Sequence, residues 1–282
     1  MQLGRPRVVR RFADAIERRD LVINLTLREL RGRYKKSALG WTWSLLNPLA
    51  MVAIYWLVFG FFLQIEPPRG DPSGLQNFVI YLLCALIPWT FFSNSVQSSL
   101  EALVGNAGLI KKVYFPRDIL VMAVVGSLLV SMFIEMSVVL VVLLIAGNFV
   151  IPWIPMVLVM IAIETLFIFG ISLLLSVANV YFRDVKHFIA IAMQALFYST
   201  PIVYPISVVP DTADFLGMEI PLGTIYRLNP LVQLVQAYRD VLYDLRFPPL
   251  DTMLYLVAWA VGVLVFGYWF FDRHQRRLAE EV

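Results

Sequence analysis

The sequence predicts an all-α integral membrane protein with six transmembrane helices. Of its 282 residues, 60% are apolar and only 15% are charged, whereas a soluble domain carries about 25% charged residues. Six windows are nearly free of charge, and each is close to the roughly 20 residues that a helix needs to cross the hydrocarbon core. We predict one membrane domain over residues 41–282, with spans near 41–64, 78–100, 119–146, 155–180, 188–207 and 252–271.

The lysine and arginine residues predict which ends of the spans face the cytoplasm. Cytoplasmic loops of membrane proteins are enriched in these residues. If the N-terminus is inside, only Arg69, Arg227, Arg239 and Arg246 of the 23 fall on outer segments. We therefore expect both termini to be cytoplasmic. The same topology accounts for the positive charge, and because no zinc-finger or RNA-binding motif accompanies it, we do not expect nucleic-acid binding.

Residues 1–40 form the predicted cytoplasmic N-terminal region. A secretory signal peptide has a short apolar core soon after a basic start, whereas here about forty mixed residues precede the first span, so we expect this region to be retained. Within it, apolar and basic residues recur on different faces of one amphipathic helix, which is typical of helices lying in the membrane interface. The apolar face comprises Ile23, Leu27, Leu30 and Tyr34, and the basic face comprises Arg28, Arg31 and Lys35. Such a helix is either a lipid anchor only or also a contact for a partner protein.

Few residues of this chain could support catalysis or bind a metal. Its two histidines, His187 and His274, and its one cysteine, Cys84, cannot form a His/Cys metal site. A phosphate-binding loop needs a glycine directly before its lysine, and none of the five lysines has one. The acids of the cytoplasmic loops stand singly, without the clustered carboxylates that would hold Mg²⁺. We therefore predict no catalytic residue, no metal site and no cofactor on this chain.

The segment between spans five and six, residues 208–250, does not read as a single crossing helix. It contains five prolines, and Pro205 precedes it; each of them ends or breaks a helix. A helical apolar stripe of only about 12 residues remains, which is too short to cross. The stripe consists of Leu231, Leu234, Val235, Tyr238 and Leu242. We expect either re-entrant outer helices or a surface loop resting on the bilayer.

Two acids fall within predicted spans at similar depth, Glu135 in span three and Glu164 in span four. Intramembrane carboxyl groups are costly and are candidates for function. They are the main support for a proton-coupled secondary transporter, but such proteins usually carry internal repeats, and none is evident. We expect both acids to be packing or gating groups bonded to nearby serine or threonine.

Several motifs are spread along almost the whole chain. They are "LRELRGRYKKSALGWTWSLLNPL" (27–49), "IPWTFFSNS" (87–95), "LIKKVYFPRDIL" (109–120), "NVYFRDVKHF" (179–188) and "NPLVQLVQAYRDVL" (229–242). Together they resemble the transmembrane permease subunit of polysaccharide-exporting ABC transporters, the family that exports O-antigen, teichoic acid, capsule and galactan. The resemblance implies a permease that moves a lipid-linked polysaccharide across the bacterial inner membrane. The nearest alternative is an ABC-type small-molecule efflux permease.

The resemblance also implies partners. Family members are homodimers that recruit two copies of a separate ATPase subunit, which would bind ATP and Mg²⁺. The N-terminal helix and the two inner loops would contact that ATPase and transmit its closure to the spans, although the loop aromatics and arginines could also be ordinary interfacial anchors. The expected coupling residues are Arg28, Arg31, Arg33, Lys111, Lys112, Tyr114, Arg117, Asp118, Tyr181, Arg183, Asp184 and His187.

A glycan channel should combine aromatic rings, which stack on sugar faces, with small polar side chains. Spans one and five contain both kinds of residue. The candidates for lining a channel are Trp43, Tyr55, Trp56, Phe59, Tyr198, Thr200 and Tyr204. Packing within the bundle or contact with lipid is the alternative role for these aromatics.

Overall fold

The computed structural model describes residues 19–34, 42–64, 67–112, 115–215 and 218–275. Within these residues the chain is helical except for turns and one small β-hairpin. The predicted helical class is therefore confirmed, and the hairpin is an addition to it. The α-helices are α1 (Arg19–Tyr34), α2 (Trp43–Tyr55), α3 (Phe78–Leu100), α4 (Ala107–Lys112), α5 (Asp118–Ile145), α6 (Ile154–Tyr181), α7 (Val185–Ser199), α8 (Leu222–Leu228), α9 (Pro230–Arg239) and α10 (Leu250–His274). Two π-helical segments, Trp56–Phe62 and Asp240–Asp244, continue α2 and α9.

The short elements connect the long helices. Three 3₁₀ turns lie at Val104–Asn106, Ile151–Trp153 and Ile206–Val208. Strands β1 (Ala213–Phe215) and β2 (Met218–Ile220) form an antiparallel hairpin in which Asp214 lies opposite Glu219. The hairpin leads directly into α8, so the segment after α7 returns to the bundle through a short stretch of folded structure.

Four of the described helical segments are long and apolar enough to cross a membrane. They are α3, α5, Ile151–Tyr181 and α10. The helices at the other two predicted spans are shorter: α2 and its π-helical continuation cover Trp43–Phe62, and α7 has 15 residues. Four candidate spans are therefore present on length and composition.

Helix α7 ends at Ser199, whereas span five was predicted to extend to residue 207. The next residue, Thr200, has an extended backbone with φ −96° and ψ 134°. It precedes Pro201, and a proline disfavours helical dihedral angles in the residue before it. Apolar composition continues beyond this point, so a hydropathy window overestimates the helix.

Helix α3 is at the centre of the bundle. Asn77 caps its start, because the Asn77 Oδ1 accepts hydrogen bonds from the backbone N–H groups of Val79 (3.0 Å) and Ile80 (3.2 Å). The helix packs against α5, α6 and α9, and 83% of its most apolar stretch is buried. By contrast, none of the described side chains of α2 is buried, and Met193 is the one buried residue of α7.

Helix α1 packs against α5 rather than standing apart from the bundle. Leu25 is buried in this contact, and a Cβ atom placed on Gly126 of α5 would lie 3.2 Å from the Thr26 hydroxyl. The packed face is therefore not the predicted apolar stripe, because Ile23 and Leu27 remain exposed.

Helices α6 and α10 approach each other closely at two glycines, Gly170 and Gly267. A Cβ atom on Gly170 would lie 2.7 Å from the backbone of Leu264, and one on Gly267 would lie 2.4 Å from the Gly170 carbonyl oxygen. Small residues allow such close approach of helix backbones in membrane proteins. The substitution Gly170→Ala should therefore force the helices apart.

We expect Gly170→Ala to lower the free energy of unfolding by about 1–3 kcal/mol, the usual cost of overpacking. Thermal unfolding of the purified protein in detergent measures the change. The matched control is Gly262→Ala in α10, where an added Cβ atom meets nothing within 4 Å and should not destabilise the helix. Equal stability of the two variants would contradict the close contact.

Candidate functional site

Three segments expected on the cytoplasmic side are joined by side-chain hydrogen bonds. The Arg28 guanidinium of α1 donates to the Asn106 side-chain oxygen at 2.7 Å. The Asn106 amide in turn donates to the Ala102 carbonyl oxygen at 2.9 Å. Helix α1 is therefore tied to the loop that joins α3 to α4.

The α6–α7 turn is attached to the same region. The buried Asn179 amide of α6 donates to the Leu100 carbonyl oxygen at the end of α3, at 2.8 Å. Lys186 also lies 3.6 Å from the Glu101 carboxylate, but this ion pair is exposed and stabilises little. We define α1, residues 101–112 and residues 182–187 as the inner face.

The expected coupling residues divide into two groups. Arg31, Arg33, Lys111, Lys112, Arg183, Asp184 and His187 are exposed on the inner face, as is Arg28. Arg183 and Asp184 form no ion pair with another residue in the part of the chain that the structure describes. An exposed, mostly basic surface of this kind can contact a protein partner.

The other coupling candidates lie within the bundle. Arg117 donates from its guanidinium to the Gln275 carbonyl oxygen beyond α10. Asp118 is buried at the first turn of α5, where the helix dipole favours a negative charge. The Tyr181 ring is half-buried against His274, with 5.9 Å between ring centroids. Tyr114 lies outside the described residues.

The predicted channel residues lie on helices with different neighbours. Helix α2 packs on α5 and α3, whereas α7 packs on α3 and α6. Trp43, Trp56 and Tyr198 are exposed, while the Phe59 ring lies between Tyr55 (5.9 Å) and Phe78 (5.2 Å).

Thr200 and Tyr204, the two channel candidates just after α7, face the protein interior or bond to other residues of the chain. The side chain of Thr200 is fully buried. The Tyr204 hydroxyl donates to the Tyr198 carbonyl oxygen at 2.9 Å and lies 3.2 Å from the Tyr226 hydroxyl. In this conformation Thr200 is not accessible, whereas the tyrosines form a small polar group beside α8.

The two intramembrane acids have separate partners. Glu164 is fully buried and accepts a hydrogen bond from the Tyr238 hydroxyl of α9 at 2.7 Å. Glu135 accepts one from the Thr90 hydroxyl of α3 at 3.5 Å. The threonine is the kind of neighbour expected for these acids, while the tyrosine was not anticipated because it lies 74 residues away in the chain.

The segment from α8 to the π-helical end of α9, Leu222–Asp244, lies in the region predicted to be on the outer side, and we name it the outer hairpin. Polar contacts hold it to the bundle. Asn229 caps α9 by accepting from the Leu231 N–H at 3.0 Å. The Asn148 amide, at the α5–α6 turn, donates to the Leu242 carbonyl oxygen at 2.9 Å. The Tyr243 hydroxyl donates to the Pro68 carbonyl oxygen at 3.0 Å.

Charged residues follow at the end of this hairpin. The Arg246 guanidinium donates to the Asp240 carboxylate at 2.8 and 2.5 Å, and it lies 3.3 Å from Asp244. Burial raises the pKa of Asp240, and the hydrogen bonds from Arg246 oppose that rise. The pair closes the end of the hairpin, because the Arg246 N–H also donates to the Asp240 carbonyl oxygen at 2.8 Å.

Sequence reasoning did not single out Arg239, which is almost fully buried at the end of α9. A signal was present in the sequence. Arg239 is one of four cations outside the expected cytoplasmic segments, and it lies between Tyr238 and Leu242, the last two residues of an apolar helical stripe. Such an arginine needs internal partners, and those partners cannot be read from the sequence.

The chain is similar to known proteins over most of its length. The family model described as "ABC-2 type transporter" matches residues 20–243. The O-antigen export system permease protein RfbA of Myxococcus xanthus is 28% identical over 275 residues, which cover 98% of this chain and 100% of the relative. The protein of the same name from Klebsiella pneumoniae is 28% identical over 253 residues, 88% and 91% of the two chains. The polysialic acid transport protein KpsM of Escherichia coli is 24% identical over 244 residues, 86% and 89%.

Proposed function

Because the chain belongs to the ABC-2 type transporter family, we propose that it is the membrane-spanning permease of an ATP-driven exporter for a lipid-linked polysaccharide. The family match confirms the resemblance seen in the motifs. The observation that carries the proposal is the similarity over the full length of a relative named as an O-antigen export permease. The polysialic acid transport protein adds a second glycan exporter among the relatives.

The proposed topology has six spans, formed by α2, α3, α5, α6, α7 and α10, with both termini in the cytoplasm of a bacterial cell. Four of these helices have the length and composition of spans. The outer hairpin is proposed to be re-entrant. Its longest α-helix, α9, has 10 residues and is about 15 Å long, half the thickness of the hydrocarbon core.

The ATPase is proposed to be a separate chain that supplies ATP and Mg²⁺ chemistry and docks on the inner face. The exposed coupling residues, including Arg31, Lys111 and Arg183, would contact it directly. The internal ones, including Arg117 and Asp118, would keep the ends of α5 and α10 in place. The Arg28–Asn106 hydrogen bond joins α1 to residues 101–112, and the Asn179–Leu100 hydrogen bond joins the ends of α6 and α3 directly beside them. These bonds support the idea that the inner face moves as a unit.

A second copy of the chain is the proposed partner within the membrane. Among the proposed spans, α2 with its π-helical continuation and α7 have the fewest buried residues, and both expose large apolar or aromatic side chains such as Trp56 and Phe188. If the second copy faces these helices, their aromatics would border a conduit between the two protomers. Lipid would cover whatever part of these faces the dimer leaves free.

The first experiment tests the permease assignment. Tagged chain purified from its host should bring down an ABC-type ATPase subunit, and the ATP turnover of that subunit should depend on the permease. Deletion of this chain should leave a glycan accumulating on the cytoplasmic side of the inner membrane. A chain that binds no ATPase would contradict the proposal, and accumulation of a small molecule instead would favour the efflux permease.

The second experiment tests the basic face of α1. The triple variant Arg28→Ala, Arg31→Ala and Arg33→Ala should reduce the ATPase recovered per permease by about tenfold, if each lost contact is worth about 0.5 kcal/mol. Pull-down from detergent measures the ratio. Arg227→Ala, an exposed arginine of α8, is the control on the opposite side. Normal assembly and export in the triple variant would leave α1 with a lipid-anchoring role alone.

The third experiment separates ATP-driven export from proton coupling. The double variant Glu135→Gln and Glu164→Gln should leave export largely intact, because the amide oxygen of glutamine can still accept the hydrogen bonds from Thr90 and Tyr238. Surface glycan and ATP turnover are measured together. Loss of export while ATP turnover continues would instead assign a transport role to the two carboxyl groups.

A further inference from the structure

Arg239 is buried without a carboxylate partner. Its side chain is 2% exposed, and no ion pair joins it to another residue in the described ranges. Burying a charge inside a membrane protein is costly unless it is hydrogen-bonded. The groups that Arg239 does contact therefore indicate the role of its buried charge.

Those partners lie on two other elements. The two terminal nitrogens of the guanidinium donate to the carbonyl oxygens of Pro201 and Ile202, each at 2.7 Å. The guanidinium carbon also lies 3.8 Å from the centre of the Tyr81 ring of α3, which is a cation–π contact. Arg239 thus connects the outer hairpin to α3 and to the chain directly after α7.

The two carbonyl groups belong to a segment outside any regular helix, so no N–H group of a helical ladder donates to them. Helix α7 ends at Ser199, and Pro201 and Pro205 have no backbone N–H to continue the ladder. The forked guanidinium can bond two neighbouring carbonyl oxygens at once, which a lysine cannot do with the same geometry. Arg239 consequently supplies the partners that the broken end of α7 lacks.

Tyr238, the residue before Arg239, is hydrogen-bonded to a different helix of the bundle. Tyr238 donates to Glu164 of α6, so two consecutive residues of α9 bind two different helices of the bundle. Because these two residues hold the outer hairpin to both α6 and the end of α7, the hairpin can follow α7 only if the single Tyr238–Glu164 hydrogen bond breaks or α6 moves as well. Helix α7 is the more lightly packed of the two, since it has a single buried residue.

We propose that Arg239 is a positioning residue that makes the outer hairpin follow the outer end of α7 during transport. When α7 moves, the two charge-assisted hydrogen bonds carry the hairpin with it and open the outer mouth of the conduit. The inference rests on the proposed function, because it assigns a transport step to this contact. It concerns the outer side of the membrane, away from the surface proposed to bind the ATPase.

The test follows the hairpin by chemical labelling. A cysteine replaces the exposed Thr224 of α8, and the native Cys84 is buried and should react little. Proteoliposomes containing this permease and its ATPase are treated with a membrane-impermeant maleimide, with and without ATP and Mg²⁺. The variants compared are Arg239→Met, Arg239→Lys and, as a matched control, Arg227→Met on the exposed face of the same hairpin.

We expect ATP to change the labelling rate in the parent protein and in Arg227→Met, and to have no effect in Arg239→Met. Arg239→Lys should show a reduced change, because lysine keeps the charge but loses the fork. In cells, surface glycan per assembled complex should fall about tenfold or more for Arg239→Met, while ATP turnover continues. A purely structural role would lower the amount of complex without altering the labelling response per complex.

Other outcomes contradict the inference. An ATP-dependent labelling change in Arg239→Met equal to that of the parent would do so, as would a glycan loss that only matches lower abundance. If Arg239→Met does not accumulate, an unreduced response in Arg239→Lys has the same meaning. A parent complex that turns over ATP without any labelling change contradicts this inference alone, whereas a parent without ATP turnover contradicts the proposed function.

Discussion

Within a hydrocarbon layer no water is available to pair with backbone N–H and C=O groups, so every break in a helix needs partners from the surrounding protein. This constraint explains the polar residues of the outer half of the bundle. Arg239 supplies donors where α7 is ended by proline, and Asn148 does the same for the π-helical end of α9. The irregular outer hairpin can therefore exist beside the long helices because their side chains and turns complete its hydrogen bonds.

Helix α3 connects this outer region to the inner face. At its start, the Asn77 N–H donates to the Tyr243 hydroxyl of the hairpin at 3.2 Å. At its end, the Leu100 carbonyl oxygen accepts from Asn179 beside the α6–α7 turn. Helix α3 is also the most buried of the candidate spans, whereas α2 and α7 have little buried surface.

Helix bounds were predicted well where the apolar segment and the helix begin or end at the same residue. Helix α3 occupies residues 78–100 as expected, because Asn77 provides a cap at the point where the apolar window begins. Helix α7 differs, because apolar residues continue past Pro201 while the backbone turns. Likewise, the apolar stripe of α1 was recognised from its spacing, but Leu25 on another face makes the contact with α5.

The functional residues divide in the same way. The candidate coupling residues of the inner loops were predicted from motifs and a family resemblance, yet spacing could not show that Arg183 is exposed while Asp118 is buried. Arg239 was visible as an unusual outer cation, but its purpose depends on carbonyl groups 37 and 38 residues earlier in the chain. Neither fact is a local property of the sequence.

The sequence by itself determined that this protein is a helical membrane protein, where its apolar segments lie, and which family its motifs indicate, because each of these depends on residues close together in the chain. Only the tertiary structure decided which polar groups meet. Glu164 pairs with Tyr238, and Arg239 with the end of α7, because the outer hairpin folds back onto α6 and α3. The physical reason is that a buried polar group is stabilised by whatever partner the packing brings within hydrogen-bond distance, and packing joins segments far apart in sequence.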